Sequence, residues 1–212
     1  MTRGRFIAFE GGEGMGKSTQ ARMLAESLRE SGLTVTLTRE PGGTPGAEAI
    51  RELLLAPPGS GWTMEAEALL FAAARADHVA HSIRPSLDGG GWVICDRFID
   101  SSRAYQGVAG EMGDAAIMGL HAFGSDGLMP DLTIMIEAPQ DIVSARLAAR
   151  DGDNSDAIGG RTSSYHAAVN DAFRDFASRD PERFAIVDGA GSIEDVHRRV
   201  LSEVARRLGT SE

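Results

Sequence analysis

A glycine-rich stretch near the start of the chain carries residue types that hold phosphate groups. Residues 11–18, GGEGMGKS, match the pattern G-x-x-x-x-G-K-[ST] and stand between a short apolar run and a helical pattern. The glycines allow backbone N–H groups to turn inward around phosphate oxygens, and the following helix points the positive end of its dipole at the same anion. Lys17 adds a full positive charge, and the Ser18 hydroxyl is placed to bind Mg²⁺ between nucleotide phosphates. The residues expected to bind the nucleotide are Gly11, Gly12, Glu13, Gly14, Met15, Gly16, Lys17, Ser18 and Thr19.

The choice of lysine in this stretch favours a phosphate site. The alternative is a glycine-rich turn that joins strand to helix and leaves its lysine in solvent. Lys17 is the only lysine among the 21 basic residues, and a compact ammonium suits phosphate oxygens better than the planar fork of arginine. The motif alone does not separate switches, motor ATPases and small-molecule kinases. A switch GTPase is excluded, because its guanine-reading element needs a second lysine.

An Asp-Arg pair comes at the end of the third predicted strand, residues 92–96. Open parallel sheets present ligands at the carboxyl ends of their strands, so Asp96 and Arg97 are aimed at the same site as the glycine-rich stretch. Asp96 can hold Mg²⁺ directly or through water, and the forked donors of Arg97 can clamp a second phosphate. The alternative is a salt bridge that caps the strand end.

Two further groups of side chains have the chemistry to bind a base. Phe71 and Arg75 lie four residues apart on a predicted helix, so an aromatic plane and a guanidinium share one face. Spacing alone favours core packing by Phe71 with a solvated Arg75, and base stacking is the second interpretation. Ser102, Tyr105 and Gln106 form a polar cluster shortly after the Asp-Arg pair, for which the alternative is a helix start with exposed side chains.

Strands and helices alternate along the chain. Short runs rich in β-branched or aromatic residues are typical of buried strands, and the segments between them carry apolar residues at helical spacing. This alternation predicts a parallel sheet with helices on both faces. The predicted strands are 5–10, 34–38, 92–96, 132–137 and 184–188, and the predicted helices include 17–30, 65–82, 114–123, 140–150 and 193–208.

Two loops interrupt this alternation. Residues 56–63, APPGSGWT, join two helices, and residues 151–162, DGDNSDAIGGRT, form a loop that is too polar for a core. A loop of that length in a compact domain is usually functional or disordered, and a mobile lid is one functional form. We therefore expect a single domain over residues 1–212 with a lid segment at about 150–163.

Composition limits the classes of protein that this chain can be. At 212 residues and 42% hydrophobic, the chain can bury one sizeable core. Its formal net charge of −10 argues against a broad grip on nucleic acid or an anionic membrane. Cys95 has no second cysteine to pair with, and no apolar run approaches the roughly 18 residues of a spanning helix. We expect a cytoplasmic protein.

Across nearly its entire length, the chain resembles bacterial thymidylate kinase. The matching segments are FEGGEGMGKST, TREPGGTPGAEAIRELLL, EALLFAAARADH, VICDRFIDSSRAYQG and PDLTIMIE. The combination of TREPGG, DRF and AYQG separates this family from adenylate, guanylate and shikimate kinases. The resemblance implies a three-layer α/β/α P-loop kinase fold with a five-stranded parallel sheet. It also implies Mg²⁺-ATP as donor, dTMP as acceptor, ADP and dTDP as products, and a homodimer.

The resemblance also implies how the acceptor nucleoside is held. Phe71 would stack on thymine, with Arg75 and Ser102 at the polar edge of the base and Gln106 nearby. Tyr105 would crowd the 2′ position of the sugar and so disfavour ribonucleotides.

Further residues would hold the acceptor sugar and phosphate. By the same resemblance, Glu13 would contact the 3′-hydroxyl and the region of the transferred phosphate, while Arg39 and Arg97 would hold the acceptor phosphate. The complete substrate-binding set is Glu13, Arg39, Pro41, Phe71, Arg75, Arg97, Ser102, Tyr105 and Gln106, and the expected metal ligands are Ser18 and Asp96.

One departure from the family pattern concerns the lid. Relatives that lack an arginine in the P-loop, as this chain does, usually supply a catalytic arginine from an Asp-Arg-x-Glu stretch of the lid. Residues 156–159 read DAIG here, so Ala157 stands where arginine is expected. We expect Arg161, with Arg150 at the helix end, to close over the transferring phosphate, and Arg146 is a weaker candidate. The expected catalytic set is Lys17, Glu13, Arg97, Arg150 and Arg161.

Two other functions stay open on the sequence. One is a kinase for a different acceptor, such as dUMP, UMP or a non-nucleotide metabolite, reached by changing the base pocket on the same scaffold. The other is a non-catalytic P-loop regulator that holds ATP without transferring phosphate. Glu13, Asp96, Arg97 and the arginines of the lid argue against the regulator, because a pure binder needs no second anion site.

Overall fold

Parallel strands form the centre of the computed structural model, which describes residues 4–151 and 157–209, without the side chains of 149–151. The strands of this described part are β1 (Phe6–Glu10), β2 (Val35–Arg39), β3 (Trp92–Asp96), β4 (Leu132–Glu137) and β5 (Phe184–Asp188). They form one five-stranded sheet in the order β2-β3-β1-β4-β5, and every neighbouring pair is parallel. The predicted five-stranded parallel sheet is confirmed.

Helices cover both faces of this sheet. They are α1 (Lys17–Glu30), α2 (Pro45–Leu55), α3 (Met64–His78), α4 (Arg84–Asp88), α5 (Ile99–Ser102), α6 (Asp114–Ser125), α7 (Gln140–Asp151), α8 (Ser163–Arg179) and α9 (Ile193–Leu208). The helix predicted at 65–82 corresponds to α3 and a π-helical segment, Val79–Ile83, that leads into α4. A second π-helical segment, Arg103–Ala109, follows α5. Within the described ranges, no helix is long and apolar enough to cross a membrane.

Hydroxyl side chains set several helix starts. Thr63 Oγ1 accepts a hydrogen bond of 3.3 Å from the backbone N–H of Ala66, and α3 begins directly after Thr63. At the start of α9, Ser192 Oγ accepts from the Asp195 backbone N–H at 3.1 Å, and the Asp195 carboxylate accepts from the Ser192 N–H at 3.2 Å. Caps of this kind stabilise a helix start by about 1 kcal/mol. Local sequence therefore determines where these helices begin.

The sheet divides the core into two apolar layers. Successive side chains of a strand point to opposite faces, so Ile7 and Phe9 of β1 enter one layer, while Phe6 and Ala8 enter the other. All four side chains are fully buried. Leu24 of α1 packs in the layer that contains Ile7 and Phe9. Because both faces are covered, β1 reads as a continuous apolar run instead of an alternating one.

The carboxyl ends of β1, β2 and β3 meet at one edge of the sheet. Phe9 of β1 lies beside Asp96 of β3, and Arg39 of β2 lies on the other side of Asp96. The sheet thus places the glycine-rich loop, which follows β1, next to the residues that follow β3. Parallel sheets bind their ligands at this edge.

Replacing Leu24 with alanine tests the core layer between α1 and the sheet. The change should leave a cavity and lower the free energy of unfolding by about 2–5 kcal/mol. Urea unfolding followed by circular dichroism measures the loss. The matched control is Leu53→Ala on α2, where the leucine is 45% exposed and the expected loss is about 1 kcal/mol or less. Equal losses in the two variants would contradict this packing.

Candidate active site

A cleft of about 690 Å³ opens at the carboxyl ends of β1, β2 and β3. Its wall joins segments that are distant in sequence: the glycine-rich loop, the end of β2, helix α3 and the residues after β3. The predicted site residues that line it are Glu13, Gly14, Met15, Gly16, Lys17, Ser18, Thr19, Arg39, Pro41, Phe71, Arg75, Asp96, Arg97, Ser102, Tyr105 and Gln106. Gly11, Gly12 and Arg161 do not line it.

The loop between β1 and α1 needs glycine for its backbone path. Gly11 has φ 128° and Gly16 has φ 93°, values that residues with side chains rarely adopt. A Cβ at Gly11 would also lie 2.6 Å from the carbonyl oxygen of Ile136. Gly16 directly precedes α1, so the first turn of that helix, beginning at Lys17, lies at the cleft. Anion-binding loops have this arrangement.

Lys17 is a buried cation. Only 6% of its surface is exposed, and its ammonium donates a hydrogen bond of 2.6 Å to the Gly12 carbonyl oxygen. Burial, followed by the charge of Arg97, lowers the pKa of Lys17 to about 8, while Glu13 and Asp96 act in the opposite direction. A cation held away from water attracts a phosphate more strongly than one in solvent does.

Ser18 and Asp96 provide oxygen atoms suited to a divalent cation. The Ser18 hydroxyl donates a hydrogen bond to Asp96 Oδ2, so side chains from α1 and β3 are in direct contact. Asp96 Oδ1 is buried and makes no hydrogen bond to any residue of the described part. A carboxylate and a hydroxyl fit Mg²⁺, which takes one or two protein ligands and completes its shell with phosphate oxygens and water.

Arg97 links the glycine-rich loop to the opposite wall of the cleft. Its Nη2 donates to Glu13 Oε1 at 2.5 Å, and its Nη1 donates to the Gly11 carbonyl oxygen at 3.1 Å. Its guanidinium carbon lies 5.2 Å from the centre of the Tyr105 ring. The ion pair is therefore formed with Glu13 and not with Asp96, the partner in the alternative interpretation. The backbone φ of Arg97 is 69°, a left-handed conformation that costs about 1 kcal/mol.

A buried carboxylate that sequence reasoning missed holds the backbone after Arg97. Glu10, at the end of β1, has no exposed surface, and its Oε1 accepts from the backbone N–H groups of Phe98 at 2.8 Å and Ser101 at 3.1 Å. Its Oε2 accepts from the Ser101 hydroxyl at 2.6 Å. Burial, followed by the charge of Asp100, raises the pKa of Glu10 to about 7. The feature of the sequence that could have identified Glu10 is a charged residue at the end of an apolar strand.

Arg75 lies in a buried network, so the interpretation of a solvated Arg75 is wrong. Its Nε donates to Glu40 Oε2 at 2.7 Å, and its Nη2 donates to Ser102 Oγ at 2.9 Å. Glu40 Oε1 in turn lies 3.1 Å from His78 Nδ1. Phe71 lines the cleft from the same helix. The sequence analysis did not identify Glu40 or His78 as supports of the site. Glu40 lies in the segment REPGG, and His78 lies in the segment ADH.

The polar cluster after Arg97 is also buried, and the interpretation of an exposed helix start is wrong. Ser102, Tyr105 and Gln106 expose 4%, 5% and 1% of their surfaces. Ser102 ends α5, while Tyr105 and Gln106 belong to the π-helical segment Arg103–Ala109. π-helical turns frequently occur at functional sites.

Arg39 and Pro41 form a more open part of the wall. The Arg39 side chain is 52% exposed, and its Nη2 donates to both carboxylate oxygens of Glu48, at 3.0 and 3.1 Å. The Pro41 carbonyl oxygen accepts from Arg51 Nη1 at 2.7 Å. An exposed ion pair contributes little free energy, so an anionic ligand can replace Glu48 as the partner of Arg39.

Of the three arginines predicted near the lid, the structure describes the side chains of two. Arg146 of α7 lines the cleft, and its guanidinium donates to the carbonyl oxygens of Met15 at 3.4 Å and Gly189 at 3.1 Å. Arg161 instead donates to Glu67 and lies outside the cleft. The side chain of Arg150, and residues 152–156 with Asp156 of the DAIG stretch, lie outside the described residues.

Comparisons with known proteins agree on one family. The family model for thymidylate kinase matches residues 9–200. A thymidylate kinase of Rhizorhabdus wittichii is 52% identical over 205 residues, which cover 97% of this chain and 99% of that protein. A thymidylate kinase of Bradyrhizobium sp. is 45% identical over 210 residues, which cover 99% of this chain and 93% of that protein. The crystal structure of thymidylate kinase from Ehrlichia chaffeensis superimposes with a TM-score of 0.78 at 34% identity, covering 95% of this chain and 99% of that one.

Replacing Lys17 with methionine tests the burial of its charge. Without ligand, the free energy of unfolding should rise, because an apolar side chain of similar length removes a buried cation. Below about pH 8 the lysine is protonated in both the folded and the unfolded state, and above its ordinary pKa of 10.5 it is neutral in both. The advantage of Lys17→Met should therefore be largest below pH 8 and shrink as the pH rises towards 10.5.

Urea unfolding of both proteins across this pH range measures the difference. Arg22→Met, on the exposed part of the same helix, is the matched control and should show no such pH dependence. A Lys17→Met advantage that stays constant with pH would contradict the buried charge.

Proposed function

The chain belongs to the thymidylate kinase family, so it is a nucleoside monophosphate kinase that phosphorylates dTMP to dTDP, and we propose that the cleft described above carries out this reaction. The observation that carries the proposal is that one cleft is lined by two separate cationic groups, Lys17 of the glycine-rich loop and Arg97 after β3. Two anionic nucleotides need two such groups, with Lys17 on the donor side and Arg97 on the acceptor side. A regulator that only binds ATP needs one.

On the donor side, ATP would lie against the loop at residues 11–18. Backbone N–H groups of the loop and the Lys17 ammonium would neutralise the phosphates. Ser18 and Asp96 would hold Mg²⁺, which when bound supplies further positive charge to the donor phosphates. Support for these ligands comes from Asp96 Oδ1, which is buried and without a hydrogen-bond partner among the described residues.

The acceptor nucleoside would lie between α3 and the π-helical segment. Phe71 would stack on thymine, and Arg75 with Ser102 would bind its polar edge, since all three line the cleft and Arg75 donates to Ser102. Glu40 holds Arg75 in place, so little side-chain entropy is lost on binding. Gln106 would lie near the base, and Tyr105 would crowd the 2′ position and disfavour ribonucleotides.

The acceptor phosphate would lie between Arg97 and Arg39, beside Pro41. Arg97 lines the cleft beside Glu13, and Arg39 can exchange the exposed Glu48 carboxylate for phosphate. Glu13 would then turn to the sugar 3′-hydroxyl near the transferred phosphate.

The transfer depends on alignment and charge neutralisation more than on a covalent group. An oxygen of the dTMP phosphate forms a bond to the γ-phosphorus, and the bond from that phosphorus to the β–γ bridging oxygen breaks. ADP leaves with the electron pair. Because the attacking oxygen is already anionic, no side chain has to accept a proton. Arg150 at the end of α7 is our proposal for an arginine that approaches the transferring group from the predicted lid.

We also propose that the protein is a cytoplasmic homodimer. Support for the dimer comes from α3 and α6, where Leu69 is 56% exposed and Phe123 is 93% exposed. Small side chains of α3, of α6 and of the π-helical segment Val79–Ile83 are exposed as well, which would allow a second copy to approach closely. These exposed small residues are Ala73, Ala80, Ala115, Ala116, Gly119 and Ala122.

An acceptor panel tests the reaction. ADP release from Mg²⁺-ATP is measured with dTMP, dUMP, UMP, AMP, GMP and CMP, and dTMP should give the highest kcat/KM. Lys17→Met should lower turnover by about 100-fold or more, because a transition-state cation is removed. If another acceptor gives a higher kcat/KM than dTMP, the roles proposed for Phe71, Arg75 and Tyr105 are wrong. Protein that binds ATP and turns over none of the acceptors would be a regulator.

Replacing Phe123 with glutamate tests the dimer. A charge on the exposed apolar surface of α6 should convert a dimer into a monomer in light scattering after size exclusion. Ile186→Glu is the matched control, since Ile186 is 53% exposed on the edge strand β5. A monomeric wild type, or a Phe123→Glu protein that stays dimeric, would contradict the proposed interface.

A further inference from the structure

Arg161 directs both ends of its guanidinium fork at groups behind the cleft wall. It lies just before α8, with its guanidinium carbon 4.7 Å from the centre of the Tyr165 ring. Its Nη2 donates to Glu67 Oε2 at 2.5 Å, and its Nη1 donates to the Tyr165 hydroxyl. The side chain of Arg161 is 21% exposed and that of Glu67 is 8% exposed, so the ion pair is largely removed from water. The Coulomb attraction within such a pair is screened less by water than that of a pair at the surface.

Glu67 connects this ion pair to the cleft. Its second carboxylate oxygen, Oε1, accepts a hydrogen bond of 2.8 Å from Gln106 Nε2. Gln106 is 1% exposed as a residue and still lines the cleft, so it forms part of the wall that a ligand meets. Arg161 and Gln106 are thus held by the two oxygens of one carboxylate.

Tyr165 provides a second, independent connection. Its hydroxyl accepts from Arg161 and donates to the Tyr105 carbonyl oxygen at 2.6 Å. The rings of Tyr105 and Tyr165 also meet edge to face, with centres 6.2 Å apart. Tyr105 and Gln106 are consecutive residues of the π-helical segment Arg103–Ala109, so both connections end on the same irregular turn.

We propose that Arg161 is a positioning residue for the acceptor side of the cleft: through Glu67 and Tyr165 it holds Gln106 and Tyr105 where the nucleoside monophosphate contacts them. The inference rests on the proposed function, in that the ligand of this wall is the acceptor. It assigns Arg161 a different role from contact with the transferring phosphate, because both ends of its fork are engaged with Glu67 and Tyr165. Glu67 and Tyr165 thereby become parts of the acceptor site without touching the ligand.

Removing the arginine should therefore weaken acceptor binding and leave the chemical step largely intact. In Arg161→Ala, the buried Glu67 carboxylate loses its cation, and Gln106 and Tyr105 lose a shared support. We expect KM for dTMP to rise about tenfold, while KM for ATP and kcat change by less than about threefold. Steady-state kinetics measures all three quantities, and isothermal titration with dTMP should show a parallel loss of affinity.

Two variants separate positioning from general structural damage. Arg161→Lys keeps the charge beside Glu67 and loses the second arm to Tyr165, so its KM for dTMP should lie between those of wild type and Arg161→Ala. Arg179→Ala, which removes an exposed arginine of α8 paired with Asp175, should match the wild type. If circular dichroism shows that Arg161→Ala does not fold, the KM of Arg161→Lys for dTMP becomes the test. A KM above that of the wild type supports the proposal, and an unchanged KM contradicts it.

A double-variant cycle tests whether Arg161 acts through Glu67. Glu67→Gln keeps an oxygen that accepts from Gln106 and removes the ion pair. Arg161→Ala combined with Glu67→Gln should then raise KM for dTMP no more than the worse single variant does. Independent effects that multiply in the double variant would overturn the proposed path.

Other outcomes would overturn the inference outright. A loss of kcat by about 100-fold or more in Arg161→Ala with KM for dTMP unchanged would mean that Arg161 contacts the transferring phosphate. Unchanged kinetics and unchanged dTMP affinity in Arg161→Ala would mean that the ion pair has no effect on the site. Failure of the proposed function is distinguishable from both, because the wild-type protein would then show no turnover of dTMP.

Discussion

The cleft depends on one electrostatic constraint: several of its cations are buried, and a buried guanidinium is stabilised by a carboxylate close to it. An uncompensated charge removed from water is strongly destabilising. Three guanidinium groups at or behind the cleft wall are accordingly held by acidic side chains from distant parts of the chain. The pairs are Arg97 with Glu13, Arg75 with Glu40, and Arg161 with Glu67. Donors fixed in this way need little rearrangement when an anion arrives, which is the condition for effective electrostatic catalysis.

Lys17 is held differently from these arginines, and the difference suits the role proposed for it. Its hydrogen bond goes to a backbone carbonyl, and its lowered pKa reflects a charge that burial disfavours. In the proposed function, a nucleotide phosphate would supply the counter-charge that the protein provides only in part. The net charge of −10 is consistent with the proposed function, because two bound nucleotides need positive charge at the cleft and not over the whole surface.

The sheet and the segment after β3 bring these charges together. β1 ends at Glu10, whose carboxylate holds the backbone N–H groups of Phe98 and Ser101 and so supports the strained backbone of Arg97. The chain then continues through α5 into a π-helical segment, of which Tyr105 and Gln106 line the cleft. One covalent segment therefore carries the residues proposed to bind the metal, the acceptor phosphate and the nucleoside, and its position relative to the glycine-rich loop follows from the pairing of β1 with β3.

The sequence alone determined the features that depend on near neighbours. The glycine-rich loop could be predicted because its conformation is set by adjacent glycines. The parallel sheet could be predicted because strands and helices alternate and their apolar residues repeat with different periods. Only the tertiary structure decided which side chains from distant segments contact one another. Spacing placed Phe71 and Arg75 on one helix face, yet it could not show that Glu40 packs there and buries Arg75. It also could not reveal Glu10 as a support of Arg97, or Glu67 as the partner of Arg161. Such pairs join residues far apart in the chain, and their distance is set by how the crossovers between parallel strands pack, which no local pattern encodes.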